Sequence, residues 1–168
     1  HHSLVFLRPL ALRLIIDRNA VFFEGPLTAD ARGAAVALTA LKIPGRMEPM
    51  PLRVSVTEAF SSEEVQSLAF SLEEADAPDA PDAVGDSWSA VPGAAWTVAG
   101  AQLALGARLG PRFLPQGVRK PWLRLNFTLT PQSGKSVSAG RLFAALLREE
   151  GAAALKDAKA SHDKLEAV

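Results

Sequence analysis

The sequence predicts an all-β fold, a jelly-roll or related β-sandwich of about eight or more short antiparallel strands with a short C-terminal helix, and three observations carry that prediction. The clearest is the run Lys120 to Thr130, where Leu123, Leu125, Phe127 and Leu129 alternate with Trp122, Arg124, Asn126 and Thr128. A period of two places the first set on one face of an extended chain, whereas a helix would scatter it around its circumference. Second, proline and glycine cut the chain between several such runs. Third, a chain of 168 residues suits one core that hides roughly 70% of the unfolded surface, and is too short for two comfortable domains.

In chain order, His1 and His2 look like the end of a purification tag, so residues 1–13 read as tag-derived or as a flexible arm and the natural chain is expected to open near Leu14. Residues 14–147 read as the sandwich. Leu14 to Phe23 predicts two short strands or one bent one, ending at Glu24-Gly25-Pro26. Val36, Leu38 and Ala40 suggest a further strand within an alanine-rich stretch, and Lys42 to Pro51 reads as a proline-bounded loop. Leu52, Val54 and Val56 alternate with Arg53, Ser55 and Thr57 in a clear strand. Ser61-Ser62-Glu63-Glu64 then predicts a hairpin into a strand with Leu68, Phe70 and Leu72 inward. Glu73 to Asp86 is acidic and proline-containing, and is expected as an exposed excursion. Trp88 to Val98 suggests two short strands around Pro92-Gly93, and Gln102 to Leu109 another alternating strand. The last strand is expected over Val137 to Leu146. Residues 148–168 are rich in Ala, Leu, Lys and Glu and predict a thinly apolar helix or tail.

Composition narrows the chemistry. Lys plus Arg equals Asp plus Glu, giving zero net charge, and no basic block favours nucleic acid or an anionic membrane as partner. With no cysteine there is no disulfide, thiolate nucleophile or Cys-built zinc site. Histidine occurs only at His1, His2 and His162, and tyrosine nowhere. The predicted body therefore has no imidazole base, no Ser-His-Asp triad and no histidine metal site, and an enzyme is not expected.

The remaining motifs read as structural. Ser133-Gly134-Lys135-Ser136 imitates the end of a phosphate-binding loop, but Leu129 stands where the leading glycine belongs and a strand follows where a helix is needed, so a hairpin turn is expected. Glu73, Glu74, Asp76, Asp79, Asp82 and Asp86 lack the spacing and central glycine of a calcium loop and read as a solvated charged loop. Trp88, Trp96 and Trp122 raise a carbohydrate-binding module as an alternative, against buried indoles as the plainer reading. No cofactor is expected.

Four runs carry a family resemblance. Ile16-Asp17-Arg18-Asn19-Ala20-Val21-Phe22-Phe23 followed by Pro26-Leu27-Thr28-Ala29, Leu52-Arg53-Val54-Ser55-Val56-Thr57-Glu58-Ala59-Phe60, Trp122-Leu123-Arg124-Leu125-Asn126-Phe127-Thr128 and Ser138-Ala139-Gly140-Arg141-Leu142 occur in an order that resembles the capsid cement (decoration) proteins of tailed bacteriophages, the jelly-roll type of a Bordetella phage. The resemblance implies a structural protein on the virion capsid exterior, assembled in the bacterial host cytoplasm. Its implied partners are the major capsid protein and itself, as a homodimer or other homo-oligomer. A phage tail or baseplate component is the related alternative. Partner contacts are expected at Arg18, Phe22 and Phe23, from paired aromatics near one end of the chain, and at Leu155 and Leu165, from a helix too thinly apolar to fold alone.

Overall fold

The computed structural model describes residues 14–38, 50–77 and 88–149. Nine strands form two antiparallel sheets: β1 (Leu14–Pro26), β2 (Ala31–Arg32), β3 (Val36–Ala37), β4 (Leu52–Glu58), β5 (Val65–Ala75), β6 (Ser89–Ala99), β7 (Arg108–Leu109), β8 (Trp122–Pro131) and β9 (Arg141–Glu149). Sheet A runs β1-β9-β4-β7, and sheet B runs β2-β8-β5-β6 with β3 also paired to β8. Taking β2 and β3 as one interrupted strand gives eight positions in the order of a jelly roll. The all-β sandwich is therefore present. Arg148 and Glu149, expected to open a C-terminal helix or tail, instead end β9 in register with Ile15 and Leu14, and the rest of that expected segment, with Leu155 and Leu165, and residues 1–13 lie outside the described residues.

The apolar alternation read along β4, β5 and β8 produces the core directly. Val54, Val56, Leu68, Leu72, Leu123 and Leu125 are all buried on the facing sides of the two sheets. A line of rings crosses the interior. Phe23 on β1 packs on Phe127 of β8 at 5.2 Å, Phe127 on Phe70 of β5 at 6.1 Å, and Phe70 on Trp96 of β6 at 5.3 Å. The tilted ring planes are the arrangement that the aromatic quadrupole favours.

Phe22 and Phe23 depart from the rule that adjacent strand residues face opposite ways. Val21 pairs with Ala145 and Phe23 with Ala144, so Phe22 is an extra residue in a bulge. Both rings consequently join the same core, Phe22 only 2% exposed. A second shift between Ile16 and Val21 makes β1 one bent strand rather than two. On the outer face of sheet A, Val21, Phe143, Ala145 and Leu147 form a separate apolar cluster, so β9 is buried on both faces.

Four other expectations are corrected. Ser61 to Glu64 does turn the chain, yet β4 and β5 belong to different sheets, so this is a crossing between layers and not a hairpin. The stretch read as two strands over Trp88 to Val98 is the single strand β6, with Val91 to Ala94 looped out between Ala90, opposite Glu73, and Ala95, opposite Ser71. Proline at position 92 has no ladder N–H to give, and Gly93 takes φ 71°, so the irregularity falls where the sequence requires it. Gln102 to Leu109 forms a 3-10 turn, a loop and the two-residue β7, leaving Leu105 exposed instead of inward. Finally, the strand begun at Val65 continues through Glu73, Glu74 and Ala75, which were expected in the exposed excursion. Most of the rest of that excursion, residues 78–86, lies outside the described residues.

Both open sides of the sandwich are laced by backbone hydrogen bonds. On one side the Gly33 N–H donates to Leu125 of sheet B and the Ala34 N–H to Phe22 of sheet A. On the other, Phe60 donates to Leu103 and Val56 to Ala107, while Gly106 donates back to Val56. Gly140 sits at the start of β9 with φ 138°, and a Cβ there would lie 2.2 Å from the Phe60 ring. Gly134, in the turn after β8, has φ 72° with open space around it. Gly140→Ala is expected to lower the urea-unfolding free energy by about 2–4 kcal/mol, through backbone strain together with overlap, against about 1 kcal/mol for Gly134→Ala. Equal losses for the two variants would show that the Phe60 contact does not matter.

Candidate functional site

Two polar arrangements stand out on the sandwich, one on each outer face. The first comes from the alternate residues of β8, which the period of two sends to the outer face of sheet B. Arg124 lies directly opposite Glu73 of β5, and Asn126 opposite Ser71. The Arg124 Nε donates to Glu73 Oε1 at 2.7 Å, and the Asn126 amide donates to the same oxygen at 2.6 Å. The Arg124 guanidinium carbon lies 4.3 Å from the centre of the Trp88 ring. Arg124 is only 3% exposed, so this is a buried guanidinium held by one carboxylate and one indole face. Sequence reading placed Arg124 on the polar side of its strand. It missed the burial because nothing local signals that Trp88, distant in sequence, covers that face.

Burial pushes the Glu73 carboxyl up, but the hydrogen bonds from Asn126 and Arg124 and the charges of Arg124 and Arg32 outweigh it, holding the group below its ordinary value. Glu74, the next residue, points to the opposite side of the strand and is 4% exposed. Its Oε1 accepts the backbone N–H groups of Arg119 at 2.7 Å and Lys120 at 3.0 Å. Both acids therefore serve internal structure and are not part of a cation-binding loop, and a carboxylate does sit buried on a strand. Asp30, Glu58 and Glu64 likewise accept backbone N–H groups, of Leu129, Gly140 and Ser138. Among the described residues no group of three His, Cys, Asp or Glu is arranged to hold a metal ion.

The second arrangement lies at the β4–β7 edge of sheet A. Arg53, Ser55 and Thr57 of β4, with Leu105, Gly106 and Arg108, border an open groove of about 480 Å³. Arg108 donates from Nη2 to the Leu52 carbonyl at 2.9 Å, fixing its guanidinium along the strand. Desolvation, together with the charges of Arg53 and Arg112, lowers the Arg108 pKa. The buried Nε atoms of Arg53 and Arg108 have no hydrogen-bond acceptor among the described residues. Among the described residues no carboxylate lies within ion-pair distance of Arg53, Arg108 or Arg112. Leu105, 70% exposed, and Phe113, 50% exposed, stand beside the same edge, Phe113 through its bridge to Pro51.

Of the residues expected to touch partners, Arg18, Phe22 and Phe23 lie at neither place, and Leu155 and Leu165 lie outside the described residues. Arg18 is exposed and its guanidinium meets Glu24 at 2.9 Å, a solvent-screened pair worth little. Phe22 is a core side chain and Phe23 packs on Phe127, so their packing is internal to this chain. Two of the three indoles offered as sugar platforms are engaged as well, Trp88 by Arg124 and Trp96 by Phe70. The sequence did not mark the groove because Arg53 and Arg108 are 55 positions apart and become neighbours only through the antiparallel pairing of Ser55 with Arg108.

Glu73→Gln removes the counter-charge from a buried guanidinium and is expected to cost about 2–3 kcal/mol at neutral pH. A lowered folded-state pKa means that the Glu73 contribution is complete above its ordinary value of 4.5 and is lost as the pH falls below that through the depressed folded value. Denaturant titrations should therefore show wild type losing stability below that pH more steeply than E73Q. Parallel curves for the two proteins would remove Glu73 from the account. No known protein-family model matches the chain, and no curated protein matches it at a significant level.

Proposed function

We propose that this protein is a non-catalytic structural component that binds the outside of a tailed-phage capsid and stabilises contacts between major capsid subunits. One observation carries the reading that the chain works by holding other proteins. Leu105 and Phe113, the large apolar side chains most exposed among the described residues, stand beside a row of arginines on a doubly laced sheet edge. Exposed apolar groups beside arginine on a rigid frame have the composition of a protein-binding patch. The choice of a capsid as the partner rests on the four runs that resemble cement proteins. These runs lie on β1, on β4, on β8 and at the start of β9.

Such a clamp works by summing modest contacts. Each copy touches more than one subunit, so the second contact forms at high effective concentration, and preferential binding to the closed shell stabilises it by linkage. The histidine-free sequence between His2 and His162, without cysteine or tyrosine, suits a holding role. The test is to mix the purified protein with assembled shells of a tailed phage whose genome encodes it and to centrifuge. Saturable co-sedimentation and a raised shell-melting temperature are the expected result. Protein left wholly in the supernatant, with shell melting unchanged, would end the capsid reading.

A further inference from the structure

We propose that the groove bounded by Arg53, Arg108 and Leu105 is a carboxylate-recognition site that takes an extended acidic segment of a partner protein. In this arrangement Arg53, Arg108 and Arg112 meet its carboxylates, and Leu105 and Phe113 meet its apolar side chains. The inference deepens the reading above and rests on it to the extent that the chain works by holding other proteins.

Three guanidinium groups on neighbouring backbone are the starting point. Arg108 lies opposite Ser55, two residues from Arg53 on β4, and the Arg112 carbonyl accepts the Leu52 N–H at 2.9 Å. Desolvation first, and then the like charges of Arg53 and Arg112, disfavour the charged Arg108, and an anion joining the three guanidinium groups stabilises the arrangement. Arg108 is also held in place before any partner arrives, through its bond to the Leu52 carbonyl. A fixed guanidinium presents its remaining donors as a fork matched to a carboxylate, and little rotamer freedom is left to lose on binding.

The surroundings select a polypeptide over other anions. The groove carries hydroxyls at Ser55 and Thr57 and an apolar wall at Leu105, and Phe113 stands at the far end of the same edge. A nucleic-acid surface needs a broad positive field, whereas this chain has no net charge, and between Arg53 and Arg108 its sequence contains no lysine or arginine. The cationic patch is local. It suits a few carboxylates interleaved with apolar side chains, the pattern of an extended acidic strand whose alternate residues face opposite ways.

Fluorescence anisotropy on the full chain tests the idea with a fluorescein-labelled peptide of alternating Asp and Leu as the probe. Its Asn-Leu counterpart, inorganic phosphate and a dT oligonucleotide of equal charge serve as comparisons. The acidic peptide should bind with Kd below about 1 mM and weaken as salt is added, and the Asn-Leu peptide should bind at least about tenfold more weakly. R53Q and R112Q should each weaken the acidic peptide about tenfold. Leu105→Ser, at a side chain already in solvent, should weaken it about threefold and keeps the test open if an arginine variant fails to fold. Equal binding of the Asn-Leu peptide, insensitivity to all three substitutions, or tighter capture of the oligonucleotide would each overturn the proposal, as would displacement by phosphate alone. Peptide binding by a protein that ignores every shell keeps the site and removes the capsid reading. Shells bound equally by wild type and by the R53Q/R112Q double variant do the reverse.

Discussion

Strand β8 must satisfy opposite demands on its two faces, and the rest of the fold is arranged around that constraint. Its inward residues join the rings of β1, β5 and β6 into one interior, with Phe127 between Phe23 and Phe70. Its outward residues include a guanidinium that is buried almost as deeply as the leucines beside it. Apolar burial supplies the drive on one side, and on the other a charge taken out of water requires a counter-charge and a covering ring. Glu73 provides the first from β5 and Trp88 the second from just before β6, so β5 is tied to β8 by chemistry as well as by ladder bonds, and the entry to β6 by the indole alone.

Much of the architecture was legible because strands with one wet and one dry face leave a period of two in the sequence, as β4, β5 and β8 do. Where burial is two-sided, that signal fails. β9 gives an unbroken apolar run from Leu142 to Leu147, and its outer cluster with Val21 is invisible to alternation. Bulges mislead in the same way: the extra residue at Phe22 rotates the pattern, so a pair read as facing opposite ways enters one core. The acidic stretch after β5 was misassigned at its start because charge was taken as a mark of solvent, whereas Glu74 accepts two backbone N–H groups at the end of the core. Neither outer-face polar arrangement was legible, since each joins residues remote in sequence through pairing or covering that local patterns do not encode.

The two outer faces differ in kind. On sheet B the Arg124 charge is matched by Glu73 and covered by the Trp88 ring, which serves stability, and Arg124 Nη1 and Trp88 Nε1 are left without a hydrogen-bond partner among the described residues. On sheet A the β4–β7 edge presents like charges beside exposed apolar groups, with no carboxylate among the described residues at ion-pair distance. The runs that resemble cement proteins say little about grip, since their apolar positions, such as Phe22, Val54, Leu125 and Leu142, are core residues.

The irregularity at Pro92 and Gly93 has a consequence for the free edge of sheet B. β6 is the outermost strand of sheet B and spans eleven residues, long enough to offer a neighbour a continuous template for pairing. A residue without an N–H and a kink at mid-length interrupt that template, which blunts the edge against strand pairing with another chain.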